Sequence, residues 1–317
     1  MTKVVIAEGE EMLDLIFNEL EVEKVLRNKE EIFIKPNLRA AGANEYKECS
    51  ITNPSIIESL AEKLLDLGKQ VSIGECTSSK FITNNALENS GVKSLEKKGV
   101  KVLNLNLYKT KNISINGGVL KGVEVPYPII ESDFIISLPV MKTHCITLVT
   151  LSLKNMMGAT GGIMPSRLHC AGIHQSIAEI NGVIRPDLCI IDATKAMEGS
   201  GPVRGKEVLV NTLIGGYDPV SVDSIGARMM GFDPNTIDHI TLAEKRGVGK
   251  IEPDSILGEM EVRGFMKPGD DGVEFTDFYS HKWFNMLMSN RAIHTLTYDY
   301  FYYPVKYLRT KISHRKI

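Results

Sequence analysis

The sequence predicts an α/β protein whose mainly parallel sheet is flanked by helices. Over the first two-thirds of the chain, short apolar runs alternate with segments of helical periodicity. Parallel strands need such crossover helices between them. The apolar runs are continuous rather than alternating, which is typical of strands buried on both faces. In addition, Asn116-Gly117-Gly118 within residues 112–125 predicts a small β-hairpin, because Asn-Gly tolerates the positive φ of a tight turn.

The predicted elements follow one another in a regular order. The predicted strands cover residues 4–7, 32–34, 71–73, 102–105, 134–138, 188–191 and 209–214. The predicted helices cover residues 11–27, 54–67, 84–98 and 219–230. Asn53 and Asp218 stand directly before two of these helices, and the first residue of each of the two helices is a proline. Asn and Asp are favoured N-caps and proline suits the first turn, so these two helix starts are well defined.

Composition excludes several classes of protein. The chain has 317 residues, 43% of them hydrophobic and 24% charged, with a formal net charge of −2. This is ordinary globular composition, and no strong positive charge points to nucleic acid as a partner. We find no basic, apolar leader and no run of about 20 apolar residues. The five cysteines form no C-x-x-C pair, which favours a reducing compartment, so we expect a cytoplasmic protein.

The chain changes character near its C-terminus, and we predict two parts: an α/β domain over residues 1–263 and a helical extension over residues 264–317. Residues 281–317 hold seven basic residues, one acid and many aromatic side chains. One interpretation is a helix laid on the body or across a homodimer interface, where aromatics are enriched. The other is docking on an anionic membrane surface.

Polar residues at the strand ends predict where a ligand binds. In open parallel sheets, ligands bind beyond the carboxyl ends of the strands. The polar residues at these ends are Lys35, Asn37, Glu75, Lys142, His144, Asp192 and Glu198. Residues 137–175 are the most informative segment, because they form a long connection that carries three histidines, two cysteines and three cations. Long connections inside compact domains are often functional.

One interpretation of these residues is an anion pocket. Its cations would be Lys35, Lys142, Lys154 and Arg167. Lysine is a compact point charge for phosphate or carboxylate, and arginine adds bidentate geometry. Backbone N–H groups of residues 158–162, a glycine-rich stretch, would face the same anion.

The second interpretation is a divalent metal site. Its ligands would be His144, His169 and His174 together with Asp192 or Glu198. Imidazole and carboxylate groups suit zinc, iron or nickel. The spacing of five between His169 and His174 does not place them on one helical face. An iron–sulfur cluster within this chain is not expected, because clustered thiolates such as C-x-x-C-x-x-C are absent from the sequence.

Taken in order, a set of motifs resembles one known family. They are Ile34-Lys35-Pro36-Asn37, Leu138-Pro139-Val140-Met141-Lys142-Thr143-His144, Leu153-Lys154-Asn155-Met156-Met157-Gly158, Arg167-Leu168-His169, Ile190-Ile191-Asp192, Glu198-Gly199-Ser200-Gly201-Pro202 and Asp218-Pro219-Val220-Ser221-Val222-Asp223. Together they are similar to the domain of unknown function 362 (DUF362) family over roughly residues 30–260. Each motif alone is weak, but the ordered combination is specific.

The resemblance implies little about activity but supports a single site. It groups Lys35, Asn37, Lys142, His144, Lys154, Asn155, His169, Asp192 and Glu198. Members often carry a ferredoxin-like module with two four-iron clusters, which implies redox or metal-linked roles. This chain lacks the C-x-x-C-x-x-C-x-x-x-C-P run of that module, so an iron–sulfur cluster would come from a partner protein.

Three functions fit the sequence. The first is an enzyme that binds a small anionic metabolite or cofactor at the carboxyl edge of the sheet. In it, Lys142, His144 and His169 are catalytic, and the anion-binding residues are Lys35, Asn37, Lys154, Asn155 and Arg167. The second is a metal-binding or redox accessory that works with an iron–sulfur partner. The third is a scaffold that contacts membranes through residues 281–317.

Overall fold

A computed structural model describes residues 1–43 and 46–272. The strands are β1 (Lys3–Glu8), β2 (Glu31–Pro36), β3 (Gln70–Glu75), β4 (Lys101–Asn104), β5 (Thr110–Ser114), β6 (Gly122–Pro126), β7 (Phe134–Leu138), β8 (Val140–His144), β9 (Leu148–Thr150), β10 (Leu188–Glu198), β11 (Lys206–Gly216) and β12 (Ser255–Leu257). The α-helices are α1 (Met12–Glu19), α2 (Val22–Val25), α3 (Pro54–Asp66), α4 (Lys80–Asn89), α5 (Tyr127–Ile130), α6 (Ser152–Asn155), α7 (Met164–Cys170), α8 (Ile173–Val183), α9 (Pro219–Met229) and α10 (Asp238–Lys245).

The described strands form a ten-stranded mixed sheet and a two-stranded hairpin. The order in the large sheet is β12-β1-β11-β10-β7-β2-β3-β4, and β8 and β9 lie off this path. From β10 through β7, β2 and β3 to β4 the pairing is parallel, whereas β11 runs antiparallel to both β1 and β10. Strands β5 and β6 pair as the predicted hairpin, with Gly117 at φ +71° in its turn. The α/β, mainly parallel fold is therefore confirmed.

Helices cover both faces of the sheet, and side chains of one strand alternate between two hydrophobic clusters. In β2, Phe33 packs into one cluster, whereas Ile32 and Ile34 pack into the other. Helices α8, α9 and α10 complete the first cluster, and α1, α3 and α4 complete the second. This alternation is what a pleated strand buried on both faces produces.

A side-chain cap sets the start of one predicted helix, whereas two other predicted helices are each divided in the structure. Asn53 Oδ1 accepts a hydrogen bond from the Ser55 N–H at 3.0 Å, which confirms the predicted start of α3. The predicted helix over residues 11–27 is wrong in its middle, because Glu21 adopts φ +50° and separates α1 from α2. The predicted helix over residues 84–98 is also divided: α4 ends at Asn89, and a 3₁₀ segment follows Gly91.

Strand β10 pairs first with β7 and then with β8, which lies in the predicted ligand-binding segment over residues 137–175. Its first residues lie beside β7, and further along Asp192 pairs with Val140 and Met197 pairs with Lys142 of β8. Strand β9 then pairs antiparallel with β8, with Lys142 opposite Thr150. The chain after residue 138 is therefore a further strand, and its side chains alternate between two faces.

The first residues of the predicted C-terminal extension contact the α/β body. Phe265 is 5% exposed, and its N–H donates to Met230 O at 2.7 Å. The Met266 N–H donates to Glu198 Oε2 at 2.9 Å. Residues 273–317, and with them the predicted helical aromatic and basic segment, lie outside the described residues. The division of the chain at residue 263 stays a prediction.

Among the helices of residues 1–43 and 46–272, none combines the length and the apolar character that crossing a membrane requires.

Replacing Asn53 by alanine should destabilise the protein by about 1 kcal/mol, because the first turn of α3 loses its side-chain cap. The Asn53→Ser variant is the matched control, since serine caps a helix about as well as asparagine. The measurement is the free energy of unfolding in urea for both variants. Equal losses of stability in the two would contradict a capping role.

Candidate functional site

The site is built where β2, β3 and β8 approach their carboxyl ends. Lys35 lies on β2, Glu75 is the last residue of β3, and Lys142 lies on β8. All three side chains are buried, with exposed fractions of 1% for Lys35, 2% for Glu75 and 3% for Lys142. The location agrees with the rule for open parallel sheets, because neighbouring carboxyl ends deliver their side chains to a common edge.

Lys35 and Glu75 form a buried ion pair. Lys35 Nζ lies 2.8 Å from Glu75 Oε1, and Nζ also donates to Pro36 O at 2.5 Å. The carboxylate of Glu75 accepts two further hydrogen bonds, from the Leu38 N–H at 2.9 Å and the Cys76 N–H at 3.0 Å. Both oxygens of Glu75 are therefore used within the protein.

Gly158 allows the backbone to pack against this ion pair. A Cβ atom at Gly158 would overlap Glu75 Oε1 and would lie 2.7 Å from Lys35 Cε. The carbonyl of Gly158 accepts from the Cys76 N–H at 3.0 Å. In the same glycine-rich stretch, the Gly161 N–H donates to Glu124 O at 2.8 Å. These glycines thus serve close packing and backbone pairing here.

Lys142 donates its hydrogen bonds to neutral oxygens. Its Nζ lies 3.1 Å from Asn37 Oδ1 and 2.5 Å from Ser50 O. Burial, together with the charges of Lys154 and Arg39, lowers the pKa of Lys142 to about 7. At neutral pH the amine and the ammonium forms are therefore both populated.

Lys154 is the second buried cation. It lies on α6, is 9% exposed, and has the Met157 Sδ at 3.6 Å from its Nζ. A thioether is only a weak acceptor for an ammonium group. Burial and then the charge of Arg39 lower the pKa of Lys154 to about 8.

Arg39, which sequence analysis missed, completes a cluster of three cations. It lies in a 3₁₀ turn over Arg39–Gly42, is exposed, and acts on the pKa of both buried lysines. Within residues 1–43 and 46–272, no Asp or Glu side chain lies within ion-pair distance of Lys142, Lys154 or Arg39. A cluster of this kind is compensated electrostatically when an anion binds.

Two neutral histidines of opposite tautomer adjoin the cations. His144 Nδ1 accepts from the N–H groups of Ile146 at 3.1 Å and Thr147 at 3.4 Å, so its ring proton is on Nε2. His169 Nδ1 lies 2.7 Å from Pro165 O and therefore carries the proton, which makes Nε2 its acceptor nitrogen. Burial, followed by the charge of Lys154, lowers the pKa of both rings, that of His169 to about 3.

A second histidine pair packs behind the first. His174 on α8 and His239 on α10 place their Nδ1 atoms 3.4 Å apart and their ring centroids 5.5 Å apart. His239 is fully buried, and burial together with His174 lowers its pKa. Nothing in the sequence pattern predicts the contact of His239 with His174, because the packing of α10 on α8 creates it.

The five predicted metal ligands do not come together as a ligand set. Asp192 accepts from the Asn53 N–H at 2.7 Å and from the Thr194 N–H at 3.0 Å and hydroxyl at 2.6 Å. Glu198 accepts from the backbone of residue 266. Across the described part of the chain, His, Cys, Asp and Glu side chains form no group of three or more that could hold a metal ion. The two carboxylates hold backbone segments in place instead.

The predicted anion-binding residues do not all belong to the cation cluster. Lys154 belongs to the cation cluster, and Asn37 contacts Lys142. Lys35 is paired with Glu75, while Asn155 Nδ2 donates to Lys35 O at 2.6 Å and to Ser137 Oγ at 3.1 Å, which joins α6 to β2 and β7. Arg167 lies 3.6 Å from a carboxylate oxygen of Glu124 on the hairpin.

These features define an α/β protein with a cationic site at the carboxyl edge of its sheet, and comparisons with known proteins place it in a family. The chain belongs to the DUF362 family, a domain of unknown function, whose model matches residues 32–228. This match confirms the resemblance seen in the sequence motifs.

Two individual proteins are similar to this chain. A thylakoid-associated protein of Synechocystis sp. is 26% identical over 225 residues, which span 68% of each protein. The lactate racemase apoprotein from Thermoanaerobacterium thermosaccharolyticum aligns with a TM-score of 0.47 and 12% identity, over 71% of this chain and 56% of that one.

Breaking the Lys35–Glu75 pair on one side should be strongly destabilising. In Glu75→Gln, Lys35 stays buried without its charged partner, and we expect a loss of about 3–5 kcal/mol in the free energy of unfolding. The double variant Lys35→Met/Glu75→Gln should recover part of that loss, because no isolated charge remains. Urea unfolding of the singles and the double measures this coupling, and additive losses would show that the two groups act independently.

Acid should destabilise the protein through its buried neutral histidines. The pKa of His169 is about 3 in the folded chain, against an ordinary value of 6.5. The unfolded chain therefore binds the extra proton first, so stability is complete above pH 6.5 and falls as the pH decreases towards 3. The slope for one such histidine is about 1.4 kcal/mol per pH unit.

The His169→Gln variant tests this assignment. Urea unfolding at pH 7, 6 and 5 should give a shallower decrease in stability for His169→Gln than for the unaltered protein. Parallel decreases in the two proteins would contradict a depressed pKa at His169.

Proposed function

We propose that this protein is an enzyme that binds a small anionic metabolite or cofactor at the carboxyl edge of its sheet. The anion contacts Lys154 and Arg39, and Lys142, His144 and His169 transfer protons to or from the bound molecule. The observation that carries this proposal is the pair of buried lysines, which have no carboxylate partner within the described residues.

An anion offsets the cost of burying these cations. An isolated buried charge is expensive, and an opposite charge close by favours the protonated state of a lysine. Lys154, with a pKa of about 8, is mostly protonated at neutral pH before any ligand binds. Arg39 adds planar donors that match a carboxylate or phosphate.

Proton transfer is the chemistry that the remaining groups suit. A general acid or base works best when its pKa is close to the working pH, and that of Lys142 is about 7. His144 carries its ring proton on Nε2, whereas His169 carries its ring proton on Nδ1. Neutral imidazoles of these two tautomers orient a bound molecule and relay a proton that Lys142 gives or takes.

The second candidate, a metal-binding or redox accessory to an iron–sulfur partner, has no favouring contact among the described residues. The predicted homodimer, the membrane contact through residues 281–317 and the cytoplasmic location also stay predictions.

Replacing Lys154 by methionine should weaken anion binding. Thermal unfolding with a panel of phosphate, oxalate, lactate and pyruvate should reveal at least one stabilising anion. At about 100 times its Kd, such a ligand adds about 2.7 kcal/mol to the free energy of unfolding. In Lys154→Met, loss of a charge-assisted hydrogen bond should reduce affinity by about 10- to 100-fold.

The control is Lys195→Met, which removes an exposed lysine of β10 that pairs with Glu48 at 2.5 Å. This variant should bind the anion normally. Without ligand, Lys154→Met should be at least as stable as the unaltered protein, because an uncompensated buried charge has been removed. Unchanged affinity in Lys154→Met, or no stabilisation by any anion of the panel, would contradict the proposal.

A further inference from the structure

The amine of Lys142 differs from the other site cations in its hydrogen bonding. Lys35 Nζ lies 2.8 Å from a carboxylate oxygen of Glu75. Lys142 instead donates to two neutral oxygens, Asn37 Oδ1 and Ser50 O. A neutral amine has two N–H donors and one lone pair. These two acceptors satisfy both donors, so the lone pair is left for a nucleophilic role.

The surrounding charges support the neutral form. Lys154 and Arg39 act on Lys142 in addition to burial, and Glu75, which opposes them, is already paired with Lys35. A lysine becomes a nucleophile at neutral pH when it is desolvated or placed beside another cation. Lys142 meets both conditions, and the same two cations are placed to hold an acidic group of a substrate.

Thr150 supplies an independent observation at this position. It lies opposite Lys142 in the antiparallel β8–β9 pair, so the two side chains share one face of the sheet. Thr150 is 3% exposed, and its Oγ1 has no hydrogen-bond partner. Buried hydroxyl groups nearly always have partners, so an orphaned one beside Lys142 points to a missing polar atom.

We propose that Lys142 is a nucleophile that forms an imine with the carbonyl carbon of a 2-oxo acid or an acidic aldehyde. The carboxylate of the substrate binds Lys154 and Arg39, and the Thr150 hydroxyl donates to the carbonyl oxygen. This inference rests on the proposed function, because it names the class of anion that the same site would take.

The step balances without an oxidant or a reductant. The lone pair of neutral Lys142 Nζ forms a C–N bond as the C=O π bond breaks, and one proton passes from Nζ to the carbonyl oxygen to give a carbinolamine. The second Nζ proton then leaves with the hydroxyl group as water, which breaks the C–O bond and leaves the imine. His144 is two residues from Lys142 on β8 and therefore on the same face, where its Nε2–H can donate a hydrogen bond to that oxygen during both steps.

Reductive trapping with pyruvate tests the inference. The intact protein is incubated with pyruvate and cyanoborohydride at pH 7, and mass spectrometry of the protein and its peptides locates the adduct. We expect one adduct at Lys142, with a rate that is half-maximal near pH 7. Labelling spread evenly over exposed lysines, with a rate still rising above about pH 10 as for an ordinary lysine, would overturn the inference.

Variants separate chemistry from folding. Lys142→Met should lose the adduct, whereas Lys195→Met should keep it. Thr150→Val keeps the shape of the side chain and should slow trapping about 2- to 10-fold, the range expected for one hydrogen bond. Trapping at Lys142 that Thr150→Val leaves unchanged would remove Thr150 from the proposal.

Oxalate separates the two proposals, since it is an anion without a ketone. If oxalate raises the unfolding temperature but pyruvate gives no adduct, the imine inference fails and the anion site stands. If no anion stabilises the protein and no adduct forms, both proposals fail.

Discussion

The ion pair between Lys35 on β2 and Glu75 on β3 is the interaction on which the site is built. Its carboxylate also accepts the N–H groups of Leu38 and Cys76, and Gly158 packs directly against it. Two strands and the turn after α6 therefore meet at one buried charge pair. Because Glu75 is fully used there, it is not available to Lys142, and the cluster of Lys142, Lys154 and Arg39 has no carboxylate within ion-pair distance among the described residues.

Several parts of this arrangement could be predicted from the sequence. Continuous apolar runs separated by helical segments predicted the α/β sheet, and polar residues after those runs predicted the edge at which the buried lysines lie. Lys142 and Lys154 do lie in one cluster, because the chain turns back from β8 through β9 into α6. The start of α3 was predictable too, since the Asn53 cap and the following proline act within one turn of helix.

Other parts depend on contacts that sequence spacing does not encode. Spacing does not show that Lys35 pairs with Glu75, so the sequence predicts Lys35 as one of the anion-binding cations. Arg39 enters the cluster through a short 3₁₀ turn, and His239 through the packing of two helices. The break after α1 falls at Glu21, which adopts φ +50° although glutamate is a good helix former and carries no breaker signal.

Burial keeps His144 and His169 neutral, so the titratable positive charge beside them lies on two lysines whose pKa values are near neutrality. An anion bound as proposed would raise both of these pKa values, and the protein would take up protons from the solvent as the complex forms. The heat of complex formation would then vary with the ionisation enthalpy of the buffer. Ligand binding would thus be coupled to a proton flux, whatever reaction follows.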